Sequence, residues 1–213
     1  MRIEIAPHFF CDDWSRLKSN LPADGRWDAA PHEWQTAIDV VENRIESRFF
    51  QPARVVDDLQ HSGFAVLALD CLLLEAIQGL RNGKRAAKTG DSCKQFVRVL
   101  TTSRHFAAFF GQNDLAARFF SDVRNGLLHD GETRGGWIVK ASGRYPLLER
   151  REDGFVMVNR RKFHRALVHE FDDYLKRLAD CSENESRKNL IKALDGLCER
   201  SQPRASKGGA LSK

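Results

Sequence analysis

The stretch Phe119-Phe120-Ser121-Asp122-Val123-Arg124-Asn125-Gly126-Leu127-Leu128-His129-Asp130-Gly131 sets an arginine, an asparagine and a histidine close together. A guanidinium stays charged at every physiological pH and matches phosphate oxygens with a rigid fork of donors. An imidazole titrates near neutrality and can take or give a proton. Together they can grip a phosphate and move a proton. Each also has a structural use. Arg124 could cap carbonyls or pair with Asp122 or Asp130, and His129 near a helix C-terminus interacts favourably with the helix dipole when charged.

The element that must carry this stretch is an amphipathic helix capped by Asn113 or Asp114 and running toward Leu128 or His129. Ala116, Phe119, Phe120, Val123 and Leu127 form its apolar stripe, and Arg118, Ser121, Asp122, Asn125 and His129 lie opposite. Asn125 and His129 are four apart and share a face. Arg124 and His129 are five apart, about 140° around an ideal helix. Bringing them together requires the helix to end or distort near Gly126–His129, with Asp130-Gly131 as the terminating turn.

Helical periodicity predicts five further helices. The first spans Pro31–Phe50 and ends at Pro52. The second, Arg54–Leu80, is apolar nearly all round from Phe64 and so belongs at the centre. A third runs from a Ser92 cap through Phe110. Asn159 caps a helix bearing Phe163, Leu167, Phe171, Tyr174, Leu175 and Leu178, and Asn184–Glu199 is a short last helix. Between the motif and Asn159, Gly136–Lys140 and Phe155–Val158 read as a small antiparallel hairpin.

Arg124-Asn125-x3-His129 resembles the R-x4–6-H motif of the HEPN superfamily (higher eukaryotes and prokaryotes nucleotide-binding domain), in which a polar residue commonly follows the arginine. The surroundings resemble HEPN proteins of bacterial mobile elements and defence loci: the apolar helix Ala65–Leu80, the Phe-rich motif helix, the Gly-Trp-Ile-Val strand, and Val158-Asn159-Arg160-Arg161-Lys162-Phe163-His164. The likeness covers roughly 54–178. It implies a helical bundle that forms a homodimer, with two Arg–His motifs meeting across a symmetric groove. It implies a metal-independent RNA endonuclease, without cofactor, in which a ribose 2′-hydroxyl attacks the adjacent phosphorus. His129 would act as general base or acid. Arg124 would stabilise charge growing on the phosphoryl oxygens. Asn125 would hold His129 or a phosphate oxygen. Some HEPN toxins carry a tyrosine two residues beyond the motif histidine that a partner modifies. Gly131 stands there in this chain, which argues against that form of control.

Other residues bear on the site less directly. Asp70 and Glu75 interrupt the apolar second helix. One could reach the dimer groove and orient His129 or Arg124; the alternative is an acid at an exposed seam, or one paired with a neighbouring Arg. Arg118 and the basic loop containing Lys84 and Arg85 are candidates to track RNA phosphates, a solvated surface being the alternative. His61, His105, His164 and His169 read as ordinary surface or seam residues. Trp137 reads as strand packing, with base stacking as the other use.

The chain has 213 residues and a formal net charge of +5, of which Arg204, Lys207 and Lys213 in the terminal segment supply three. The remainder is mildly basic, compatible with RNA binding without arguing for it. Cys11, Cys71, Cys93, Cys181 and Cys198 are odd in number and lack metal-ligand spacing, which fits free thiols in a reducing cytoplasm. No secretory signal opens the chain, and the apolar run Phe64–Ile77 is too short and too charged for a membrane span.

The expectation is therefore a mainly α protein of about five to six helices. A mostly irregular segment with a short strand at Arg2–Ala6 occupies 1–30, a HEPN-like helical domain 31–200 with a hairpin around 136–158, and a disordered basic tail 201–213. The expected function is a toxin or phage-defence ribonuclease, cytoplasmic, acting on RNA as a homodimer and open to control by an antitoxin or regulatory protein. The alternatives are a non-catalytic HEPN module that binds RNA, a nucleotide or a protein, and a helical interaction protein in which the motif is coincidental.

Overall fold

A computed structural model describes residues 2–83, 91–111 and 114–201. The fold is mainly α, with two small sheets. It is cut into more pieces than periodicity predicts. In the N-terminal segment the short strand expected at Arg2–Ala6 is present as β1 (Glu4–Ala6); it pairs antiparallel with β2 (Phe9–Phe10) and leads into α1 (Cys11–Ser19), where loop is expected. Trp14 anchors α1, buried and bonded through Nε1 to Asp195 at 2.9 Å. α1 was not legible because Trp14 is its one buried residue, and a single anchor gives no periodicity.

α2 (Pro31–Ile45) passes through a π-helical segment (Glu46–Phe50) into α3 (Gln51–Asp57). Pro52 therefore does not end the helix. It sits in the first turn of α3, just after the π register, where an α-helical N–H is dispensable. The break comes instead between Asp58 and Ser62, with His61 at φ 60°, so the predicted second helix is two: α3 and α4 (Gly63–Asn82). α4 has the length and apolarity of a membrane span by composition, but it packs among α3, α5 (Asp91–Thr102), α9 (Arg160–Ala179) and α10 (Asn184–Ser201). Val66, Leu67, Cys71, Leu73, Leu74, Ile77 and Leu80 are buried there.

The predicted third helix also divides. α5 stops before Ser103, whose carbonyl accepts N–H bonds from Phe106 and Ala107 and restarts the chain as α6 (Ala107–Phe110). The motif helix comprises α7 (Leu115–Arg118), a π-helical segment (Phe119–Arg124) and α8 (Asn125–His129). Asp114 precedes it at φ 48° and makes no side-chain cap, and Asn113 lies outside the described residues.

The β element is corrected as well. β3 (Trp137–Lys140) pairs parallel, not antiparallel, with β5 (Val156–Asn159), in register Trp137 to Val156. A third strand, β4 (Leu148–Arg150), pairs antiparallel with β5 on its other edge. The true hairpin is β4–β5, turned by Gly154 at φ 85°, and β3 reaches β5 only by a crossover. Asn159 caps α9 as expected, its Oδ1 accepting the Lys162 N–H at 3.4 Å. Arg187 on α10 is fully buried and donates to the carbonyls of Gly25, Leu178 and Asp180, tying the N-terminal segment to the α9–α10 corner. The tail expected to be disordered lies outside the described residues from 202 onward.

Candidate functional site

Phe119 fixes the motif helix. It is fully buried, with ring centroids 5.2 Å from Phe163, 5.3 Å from Phe110, 5.3 Å from Trp137 and 6.2 Å from Phe96. Ala116, Val123 and Leu127 are buried with it, so the predicted apolar stripe faces the core. Trp137 is 5% exposed and spent on this packing, which removes it as a base-stacking platform.

The expected distortion exists but lies upstream of Gly126–His129. The π segment ends at Arg124, and the Asn125 N–H reaches back to the Phe120 carbonyl. One extra residue in a turn rotates everything after it by about 100°. Beyond it the chain stays α-helical through His129. The Asp130 and Glu132 N–H groups both return to the Gly126 carbonyl, and Gly131 adopts φ 74° to make the expected turn. The loop that follows folds back on the helix, with Arg134 N–H bonded to the Asp122 carbonyl at 2.9 Å.

This rotation aims Arg124 at α4. Its Nε donates to Glu75 Oε1 at 2.6 Å, its Nη2 to Glu75 Oε2 at 3.1 Å, and its Nη1 to Asn125 Oδ1 at 2.9 Å. The guanidinium carbon also lies 5.3 Å from the Phe120 ring centroid. Arg124 is thus held by a bidentate carboxylate, an amide and an aromatic face, in a part-buried setting. Asn125 spends its carbonyl oxygen on Arg124 and does not hold His129. Asp122 and Asp130, the acids considered as partners for Arg124, are engaged elsewhere: Asp122 accepts from Ser121, and Asp130 pairs with Arg134.

His129 stands apart. It is exposed, in the last turn of α8, and makes no side-chain hydrogen bond among the described residues. The chain therefore brings Arg124, Asn125 and Glu75 together and leaves His129 facing solvent. Arg118 is exposed, donating to the Gly135 carbonyl at 3.3 Å and lying 3.9 Å from Asp122. Lys84 and Arg85 lie outside the described residues.

A second constellation was not anticipated from the sequence. His164, read as an ordinary seam residue, bonds through Nδ1 to Asp70 Oδ1 at 2.7 Å. Asp70 is 1% exposed, and its Oδ2 has no hydrogen-bond partner among the described residues. Burial pushes the Asp70 carboxyl up to about 6, against the opposing pull of His164. Burial pulls the other way on His164, but its hydrogen bond to Asp70 leaves the imidazole above its usual value. Asp70 thus takes His164 of α9, not an arginine at an exposed seam, while Glu75 takes Arg124 of the motif helix. The signal available in the sequence was an acid inside an apolar helix; its partner is 94 residues away.

All five cysteines are free thiols. Among the described residues no three His, Cys, Asp or Glu side chains are grouped to hold a metal ion. Comparison with protein-family models, with curated proteins and with solved structures gives no match to this chain.

Proposed function

We propose that this chain is a metal-independent RNA endonuclease of HEPN type, a cytoplasmic toxin or defence effector that works as a homodimer. The observation that carries the reading is the treatment of Arg124. A bidentate carboxylate, an amide and an aromatic ring fix one guanidinium at the surface end of a π-distorted helix. π segments cluster at functional sites, and a preorganised cation stabilises growing phosphoryl charge without reorganising during the reaction. Asn125 positions Arg124. His129 is the proton-transfer group, and its exposure suits a group completed from outside the chain. In a two-fold dimer each groove receives a histidine from either subunit, one as base and one as acid.

The test is incubation of the purified chain with single-stranded RNA in the presence of a chelator. The expected products end in 2′,3′-cyclic phosphate, and Arg124→Ala and His129→Ala abolish them. Cleavage that survives both substitutions would falsify the assignment. That no side chain among the described residues orients His129 favours a second reading, a non-catalytic module that holds RNA phosphates through Arg124. Binding without cleavage, weakened by Arg124→Ala and indifferent to His129→Ala, selects that reading.

A further inference from the structure

A cavity of about 490 Å³ opens between α3 and the first turns of α9, on a different side of α4 from Arg124. Asp70 and Glu75 are five residues apart on α4, so they point about 140° apart around its axis. Glu75 serves the motif, and Asp70 serves this cavity through His164. The lining from α9 is Arg161, His164, Arg165 and Val168, one face of that helix at i, i+3, i+4 and i+7. From α3 come Ala53, Arg54, Asp57 and Asp58, and Val66 of α4 completes it.

We propose that this cavity is a binding site for a phosphomonoester, with the phosphate on Arg161, His164 and Arg165 and the organic part against Ala53, Val66 and Val168. Five observations converge on it. His164 is aimed: Asp70 takes Nδ1, and the Phe50 ring packs edge-on with centroids 5.6 Å apart, which fixes the imidazole plane and leaves Nε2 as the nitrogen without a partner among the described residues. Arg161 is engaged only through Nε, by Asp57 Oδ2 at 2.6 Å, which orients the guanidinium and keeps its terminal amino groups available. Arg165 is exposed and makes no ion pair among the described residues. The charges around the cavity favour an anion at the α9 end. Asp57 is consumed by Arg160 and Arg161, Glu46 engages Arg54, and Asp58 sits on the α3 side, where it repels a phosphate and can accept from ligand hydroxyl or amino groups. The volume lies in the range of small-ligand sites.

The site does not depend on the nuclease reading, and the experiment separates the two. Calorimetry at low salt on the full chain uses adenosine 5′-monophosphate, inorganic phosphate, adenosine, and a dinucleotide with and without a 5′-phosphate. Adenosine 5′-monophosphate and inorganic phosphate are expected to bind saturably and adenosine not at all. Arg165→Ala, at an exposed position that folding does not need, weakens adenosine 5′-monophosphate by about tenfold, the loss of one charge-assisted hydrogen bond. Arg165→Lys recovers part of that loss, His164→Ala weakens it similarly, and Arg124→Ala leaves it unchanged. Preference for the 5′-phosphorylated dinucleotide over its 5′-hydroxyl form marks an RNA end as the source of the phosphate. Binding of the mononucleotide alone marks a free nucleotide. Equal binding of adenosine and adenosine 5′-monophosphate, no saturable binding of either phosphate probe, or binding abolished by Arg124→Ala and untouched by Arg165→Ala overturns the proposal.

Discussion

Glu75 grips Arg124 through both carboxylate oxygens, at 2.6 and 3.1 Å. The pair spans 49 residues of sequence and joins the central helix α4 to the end of the π segment. With side chains 17% and 25% exposed, it lies between two regimes. An exposed pair is worth about 0–1 kcal/mol, and removing one partner of a buried pair costs about 3–5 kcal/mol. Glu75→Gln keeps the shape and removes the charge, so it is expected to destabilise the fold by about 1–2 kcal/mol in urea unfolding. On the ribonuclease reading it also lowers cleavage, because the guanidinium loses its fixed orientation. A double-mutant cycle with Arg124→Ala should return a coupling energy of similar size. Additive single-mutant effects would show that the two side chains do not act together.

Arg124→Lys tests geometry against charge. Lysine keeps the cation but has no planar fork, so it cannot bond two carboxylate oxygens and Asn125 together. Expected is a stability within about 1 kcal/mol of Glu75→Gln and a large fall in RNA cleavage or binding. Full activity with lysine would mean that charge alone suffices at this position.

His129→Ala separates stability from chemistry. The side chain is exposed and bonds to nothing among the described residues. Its removal should shift unfolding by no more than about 0.5 kcal/mol. Cleavage should fall by at least about a hundredfold, the usual contribution of a positioned acid–base group. A variant with normal cleavage removes His129 from the mechanism whatever its stability.

How the motif is built was legible only in part from the sequence. The apolar stripe of Ala116, Phe119, Val123 and Leu127 could be read because helical period dominates there, and so could the Asn159 cap. The π segment could not. It is set by how Phe119 packs among Phe96, Phe110, Phe163 and Trp137, contacts from four other elements that no local pattern encodes. The same holds for both acids of α4: composition marked Asp70 and Glu75 as needing partners, while the topology chose His164 and Arg124. The parallel pairing of β3 with β5 was hidden for a similar reason. Two β-rich runs announce strands but not their direction, and the short β4 between them gave little signal.

Gly126 offers a test of the helix end that presents His129. Its carbonyl takes the Asp130 and Glu132 N–H groups, and a Cβ on it would run into the Glu132 carbonyl oxygen. Backbone must move to make room, so Gly126→Ala should cost about 1–3 kcal/mol despite alanine's better helix propensity. The control is Gly79→Ala on α4, where a Cβ meets nothing within 4 Å and alanine should be neutral or stabilising. Equal responses at the two positions would contradict the close packing of the 130–136 loop on the motif helix.

The Asp70–His164 pair predicts a particular dependence of stability on pH. Burial raises Asp70 from its ordinary 3.8 to about 6, so between those values the folded chain holds a proton that the unfolded chain has lost. Stability therefore falls as pH rises through that window. His164 is raised above 6.5, since its bond to Asp70 outweighs burial, with Asp57 adding to the effect and Arg54 opposing it. Its stabilisation is complete below pH 6.5 and is lost as pH climbs through the folded value, so both members act in the same direction. Urea unfolding between pH 5 and pH 8 should show wild type losing on the order of 1–2 kcal/mol more than Asp70→Asn, in which the carboxylate that holds the imidazolium is gone. The comparison rests on the slope against pH rather than on absolute stability, so it survives any overall cost of the substitution. Parallel slopes would mean that the buried pair titrates alike in the folded and unfolded chains.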